Sequence, residues 1–238
     1  MSVNDKHHCF CPSLQVRAAD TEPATKVEQA RTKAALLNAV KWEPGELITI
    51  RFLGGTPTLQ AKVKKFAAEW QEHGRLDFSF VDAAPSDIRI AFMPGAGSWS
   101  FLGRQCRDIP EPQPTMNFGW LEDSTDDAEV RRVVLHEFGH ALGLIHEHQN
   151  PKKPIQWNVA AVVDDLSKAP NNWDRPTIEN NMFKLYAEKE VAATEVDVES
   201  IMMYPIPQAW LIEGQPAGFN TVLSQQDKDF IAAAYPKM

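Results

Sequence analysis

Apolar residues along this chain recur with two different periods, and the change from one to the other marks its elements. Leu47 to Leu53 alternates apolar and polar positions, the two-residue period of a strand with one buried face. Leu59 to His73 sets Val63, Phe66, Ala67 and Trp70 on one helical face, and Gly74 ends that helix. Leu76 to Val81 and Ile88 to Phe92 read as strands, and after a connection rich in glycine and proline Thr115 to Trp120 reads as another. Val130, Val133, Val134, Phe138, Ala141 and Leu142 then form a helical apolar stripe. Ser124 or Thr125 is placed to cap this helix, with Asp126, Asp127 and Glu129 in the first turn, where the dipole favours negative charge. Two more helices are predicted over Asn158 to Leu166 and Thr177 to Tyr186, and Ser224 with Asp227 has the spacing of a capping box for a last helix through Ala234. Ahead of the first strand, Lys26 to Val40 is rich in Ala, Leu, Lys and Glu and reads as a helix ended by Pro44-Gly45.

The order strand-helix-strand-strand-strand-helix predicts an α+β fold, a mixed twisted sheet with two helices packed on it. Residues 1–44 form a leader with its helix. Residues 45–238 form one domain of two lobes, 45–143 and 144–238, the second smaller and mostly helical. A chain of 238 residues with 43% apolar and 24% charged side chains can bury a real core as a soluble globular protein. The net charge of −8, with signs interspersed, argues against nucleic acid or an anionic membrane as a partner, and no apolar run approaches a membrane span. Met1 to Lys6 shows no apolar core of the signal-peptide type, so the chain is expected to stay inside, to leave by another route, or to have lost a leader. The three cysteines, Cys9, Cys11 and Cys106, cannot build a disulfide framework. Cys9 and Cys11, beside His7 and His8, read as a solvated terminal cluster, with a latency role over a metal as the sharper alternative.

The chemistry is concentrated in His136-Glu137-Phe138-Gly139-His140-Ala141-Leu142-Gly143-Leu144-Ile145-His146. Residues four apart share a helix face, so His136 and His140 can bind one metal ion from one side. Gly143 can adopt positive φ, stop the helix and turn the chain so that His146 closes the ligand set. Three nitrogens leave one position of a tetrahedral Zn²⁺ open, the mark of a catalytic site. Four of the chain's seven histidines lie between His136 and His148, a density that a solvated helix face does not need.

This motif resembles that of the metzincin zinc endopeptidases, in which a methionine turn follows downstream. Ser200-Ile201-Met202-Met203-Tyr204-Pro205 is similar to that turn, and Glu147 after the third histidine is similar to the astacin branch. Looser matches run from Trp173 through Asn181-Met182-Phe183 and Asp197 to Leu223-Ser224-Gln225-Gln226-Asp227. The resemblance covers roughly residues 45 to 238. It implies a metzincin-like fold with one zinc per chain, held by His136, His140 and His146 in a cleft between the lobes. It implies Glu137 as general base to a metal-activated water, Tyr204 as oxyanion partner and Met202 as a hydrophobic floor. Two registers are open: Met202 as the turn methionine, with Tyr204 two residues on, or Met203, as in the matrixins. The resemblance also implies that Glu147 meets the new N-terminus of a processed chain, and that a protein or peptide substrate lies extended along an edge strand within Ser98 to Gly103. The molecule is expected to be a monomer. The disulfides and secretory signal usual in astacin-like domains are not evident. An endopeptidase leads the functions this implies; a maturation protease or toxin for one partner, and a non-catalytic zinc-bearing module, are the alternatives.

Overall fold

The computed structural model describes residues 36–237, apart from 153, 170, 188–190 and 193–195. Its strands are β1 (Leu36–Leu37), β2 (Leu47–Phe52), β3 (Asp77–Phe80), β4 (Ile88–Ala91), β5 (Trp99–Ser100), β6 (Met116–Asn117) and β7 (Val191–Ala192). Its α-helices are α1 (Pro57–Ala67), α2 (Asp127–Ala141), α3 (Val159–Leu166), α4 (Arg175–Ile178) and α5 (Gln225–Ala234).

Five strands make one mixed sheet in the order β3-β2-β4-β6-β5. The first four run parallel, and β5 pairs antiparallel to β6 at the edge through Trp99↔Asn117 and Ser100↔Met116. β4 lies at the centre and all four of its residues are buried, as a parallel strand covered on both faces requires. β2 shows the expected alternation, with Ile48 and Ile50 buried and Leu47 exposed. Thr56 caps α1 by accepting from the Leu59 N–H, and Pro57 sits in its first turn. α1 therefore begins two residues before the expected Leu59 and continues as a 3₁₀ turn over Ala68–Glu72, which carries Trp70 into the core.

Three further elements differ from expectation. The cap of α2 is Asp126, whose carboxylate accepts from the Ala128 N–H at 2.9 Å, while the Thr125 hydroxyl closes the preceding turn on the Glu122 N–H. A carboxylate at the cap adds charge to the hydrogen bond at the positive helix end. The expected helix over Thr177 to Tyr186 starts earlier, capped by Asp174, and opens at Glu179–Phe183 into a π turn. Most of the expected helix over Lys26 to Val40 lies outside the described residues, as do Cys9 and Cys11. Its last part is not α-helical: Leu36–Leu37 pairs with Val191–Ala192, and Asn38–Val40 is a 3₁₀ turn.

Two apolar cores form. The larger gathers Ile48, Ile50, Val63, Phe66, Trp70, Ile88 and Ile90 with the buried face of α2, and Phe230, Ile231 and Tyr235 of the C-terminal segment join it. Trp42, ahead of β2, is fully buried there. The smaller core joins Val162, Leu166, Ile178 and Met182 to Met203, Tyr204, Ile206 and Trp210. The C-terminal helix thus returns to the first core after the chain has built the second.

Candidate metal centre

The C-terminus of α2 sets the geometry. Gly143 adopts φ +92°. The Gly143 N–H returns to the His140 carbonyl at 2.8 Å and the Leu144 N–H to the Gly139 carbonyl at 3.0 Å, the paired bonds of a Schellman stop. The two carbonyls beyond are satisfied from afar: the Trp42 indole donates to Ala141 O and the Tyr235 hydroxyl to Leu142 O, both at 2.7 Å.

The turn also orients a ligand. His140 Nδ1 donates to the Leu144 carbonyl at 2.8 Å, and His136 Nδ1 to the Ile201 carbonyl at 2.8 Å. A carbonyl can only accept, so Nδ1 carries the proton in both rings and Nε2 is left as a lone-pair donor. The Nε2 atoms of His140 and His146 face each other at 3.1 Å, and the buried His136 Nε2 has no hydrogen-bond partner among the described residues. One ligand atom from each of the three histidines lies within 4.8 Å of the others. Burial drives all three pKa values down, His140 to about 4 and the other two well below the ordinary histidine value. Neutral imidazoles with converging lone pairs are the donor set a zinc ion takes.

Around this set the expected residues are placed as follows. Glu137 follows the first histidine on α2 and is fully buried. Tyr204 is buried against the site, its ring centroid 4.3 Å from that of His146 and 6.1 Å from that of His136. Met202 is buried in the larger core, under α2, where its side chain packs on Gly139. Met203 faces the smaller core instead. Glu147 is buried, and its Oε1 accepts from the Asn150 amide at 3.2 Å and the Asp197 N–H at 3.1 Å. Burial pushes its carboxyl up to about 8 despite those two donors.

Three features went unassigned in the sequence. Gly139 has no room for a side chain: a Cβ there would overlap Met202 Sδ and reach 3.2 Å from its Cε. The available signal was a glycine inside a helical pattern, which costs about 1 kcal/mol against alanine and asks for a packing reason. His148 is fully buried beside His146 and Tyr204, with centroids 5.2 and 4.8 Å away, and its Nε2 donates to the Asn181 carbonyl of the π turn at 2.7 Å. Asp197 and Asp227 stand behind the Ser200–Met202 turn, and no local pattern announced that position.

The sequence profile of the astacin peptidase family matches residues 37–228. The chain belongs to the astacin family. Its relatives include zinc metalloproteinase nas-38 of Caenorhabditis elegans, 30% identical over 112 residues, which is 47% of this chain and 14% of that protein. Zinc metalloproteinase nas-30 of the same organism is 23% identical over 175 residues, 73% of this chain and 20% of that protein. The chain thus spans a small part of the length of these relatives. Among solved structures, that of myroilysin is 43% identical, superposes with a TM-score of 0.84, and covers 86% of this chain and 100% of its own. High choriolytic enzyme 1, a hatching enzyme zinc-protease from Oryzias latipes, shares the fold at 17% identity and a TM-score of 0.58, over 84% of this chain and 96% of its own. The α+β fold with its mixed sheet is that of this family, and the three histidines are placed to bind a metal ion.

Proposed function

We propose that this astacin-family chain is a zinc-dependent endopeptidase with Glu137 as its general base. The observation that carries the reading is the convergence of three neutral imidazoles, two on α2 and one beyond its end, with a buried carboxylate next in sequence to the first. His136, His140 and His146 would hold the ion. Bound there, zinc supplies Lewis acidity, which brings the pKa of water to about 7 and polarises a carbonyl oxygen. Glu137 accepts the proton of the attacking water on its carboxylate and delivers it to the leaving amine nitrogen. The Tyr204 hydroxyl donates a hydrogen bond to the oxyanion that develops at the scissile carbonyl. The packing of Met202 under α2 supports the register in which it is the turn methionine. The edge strand β5 offers main-chain groups to an extended peptide, whose recognition would be largely blind to side chains.

The test is cleavage of a quenched peptide or casein by the full chain, before and after chelation and after zinc is restored. Glu137→Gln keeps the volume and removes the base. It should retain zinc while kcat falls by about 10²–10⁴. Undiminished turnover by this variant excludes the proposed role of Glu137.

A further inference from the structure

We propose that Asp227 is a positioning residue for the metal site: its carboxylate fixes the Ser200–Met202 turn from behind, and that turn sets the ring of His136. As the third residue of α5, Asp227 completes a capping box with Ser224, whose N–H donates to Oδ2 at 2.9 Å and whose hydroxyl accepts the Asp227 N–H at 3.0 Å. A cap needs no more than that. Here the carboxylate is fully buried and takes two further donors, from residues 26 and 27 positions away. The Ile201 N–H reaches Oδ2 at 2.8 Å, and the Ser200 hydroxyl donates to Oδ1 at 2.7 Å.

The Ser200 bond carries the coupling. Ser200 Oγ gives its proton to Asp227 and accepts the Met202 N–H at 3.0 Å. That N–H shares one planar peptide unit with the Ile201 carbonyl, the acceptor for His136 Nδ1 at 2.8 Å. Carboxylate, hydroxyl, peptide and imidazole thus form one polarised chain, and each bond strengthens the next. Its last member fixes the tautomer and direction of a ligand and raises its donor strength. The Asn220 amide holds the same turn through the Val198 and Ser200 carbonyls at 2.9 and 2.8 Å. The turn is thereby clamped from two sides, by a neutral amide on one and a carboxylate on the other.

The inference rests on the zinc reading above but is tested apart from turnover. Asp227→Ala, Ser200→Ala, Asp227→Asn and Ser224→Ala are made in the full chain. Zinc affinity is measured by competition with a chelating dye, the cobalt-substituted visible spectrum is recorded, and Tm is followed. Ser200→Ala cuts the relay and leaves the α5 cap intact; Ser224→Ala removes the cap hydroxyl and its bond to Asp197 and leaves the Asp227–Ser200–Met202 relay in place. Asp227→Ala and Ser200→Ala should weaken zinc about 10–100-fold and shift the cobalt bands. Where peptide is cleaved, kcat should fall with KM little changed. Asp227→Asn should restore most of the affinity, since its amide can accept the two N–H groups and donate to Ser200 Oγ. Ser224→Ala should lower Tm and keep the parent affinity and spectrum. If Asp227→Ala does not fold, Ser200→Ala decides. A folded Ser200→Ala with parent zinc affinity and cobalt spectrum overturns the proposal, as does a Ser224→Ala that loses zinc equally. A parent chain that binds one zinc and cleaves nothing refutes the peptidase reading and leaves this test standing.

Discussion

Alanine at Gly139 is the substitution on which two physical effects pull in opposite directions. Helix propensity alone favours Gly139→Ala by about 0.8–1.0 kcal/mol. The packing opposes it, because the new Cβ would lie well under 3.0 Å from Met202 Sδ, 3.2 Å from its Cε and 3.4 Å from Leu144 Cδ1. Apolar atoms meet at about 4 Å, so the sulfur has to recede by well over an ångström. Met202 is a flexible side chain, but it is 1% exposed and walled by the larger core, so it has nowhere to go without forcing its neighbours. Overpacking of this kind costs about 1–3 kcal/mol, which leaves a net loss of about 0–2 kcal/mol after the propensity gain. For a chain of this size that is a Tm drop of up to roughly 8 °C. The displaced Met202 also moves the carbonyl of Ile201 that orients His136, so zinc should weaken along with stability. Urea denaturation of Gly139→Ala, Met202→Ala and the double variant completes the cycle. Met202→Ala alone opens a cavity that costs about 2–5 kcal/mol, and the double variant should show favourable coupling of about 1–3 kcal/mol as the alanine methyl moves into that space. Met203→Ala should be additive with Gly139→Ala, since Met203 belongs to the other core. A Gly139→Ala protein that is more stable than the parent and holds zinc equally well refutes the reasoning, and coupling to Met203 in place of Met202 reverses the register.

His146→Ala leaves two imidazole donors, and elemental analysis should find zinc retention greatly weakened; retention equal to the parent removes His146 from the ligand set. Tyr204→Phe should lower kcat by about 10–10³ with a much smaller rise in KM, because the hydroxyl acts mainly in the transition state; a negligible effect favours the register with Met203 in the turn. Asp87 titrates below the ordinary carboxylate value: burial opposes ionisation, but the Arg107 guanidinium and the backbone and hydroxyl of Thr49 outweigh it. A depressed folded pKa stabilises above the unfolded value and is lost as pH falls through the folded one. Asp87→Ala should therefore cost about 1–3 kcal/mol at pH 7 in urea denaturation. That gap should narrow as pH drops below the 3.8 of an unperturbed aspartate, and a gap independent of pH would contradict the assignment.

The local signals that the sequence carried strongly are those the structure repeats. The alternation of Leu47 to Leu53, the stripe of α2 and the capping box of α5 all follow from short-range pattern. So does the approach of His136, His140 and His146, because helical spacing plus one positive-φ glycine sets it. What was illegible depends on contacts made outside the element being read. Asp126 replaced Thr125 as the cap because a neighbouring turn had already engaged the threonine hydroxyl. The π turn at Glu179–Phe183 presents the carbonyls of Asn180 and Asn181 to Gln149 and His148, a demand made by the loop after the third histidine and invisible within residues 175–186. Leu36–Leu37 reads as helix by composition, yet it takes its conformation from strand pairing with Val191–Ala192. Asp227 looked like a helix cap, and its second set of partners lies 26 and 27 residues earlier in the chain.

The two long-range donors at the end of α2 have a consequence for timing. The carbonyls of Ala141 and Leu142 are completed by Trp42, made early, and by Tyr235, made 93 residues after Leu142. At ribosomal rates of about 5–20 residues per second, that interval is on the order of 5–20 s. Throughout it the histidine motif has already been synthesised while its helix end is still incomplete and the Ser200–Met202 turn has no α5 behind it. A nascent chain in this state carries its ligands without the frame that aims them. The metal centre thus lacks its full frame until synthesis has passed the segment that closes the first core.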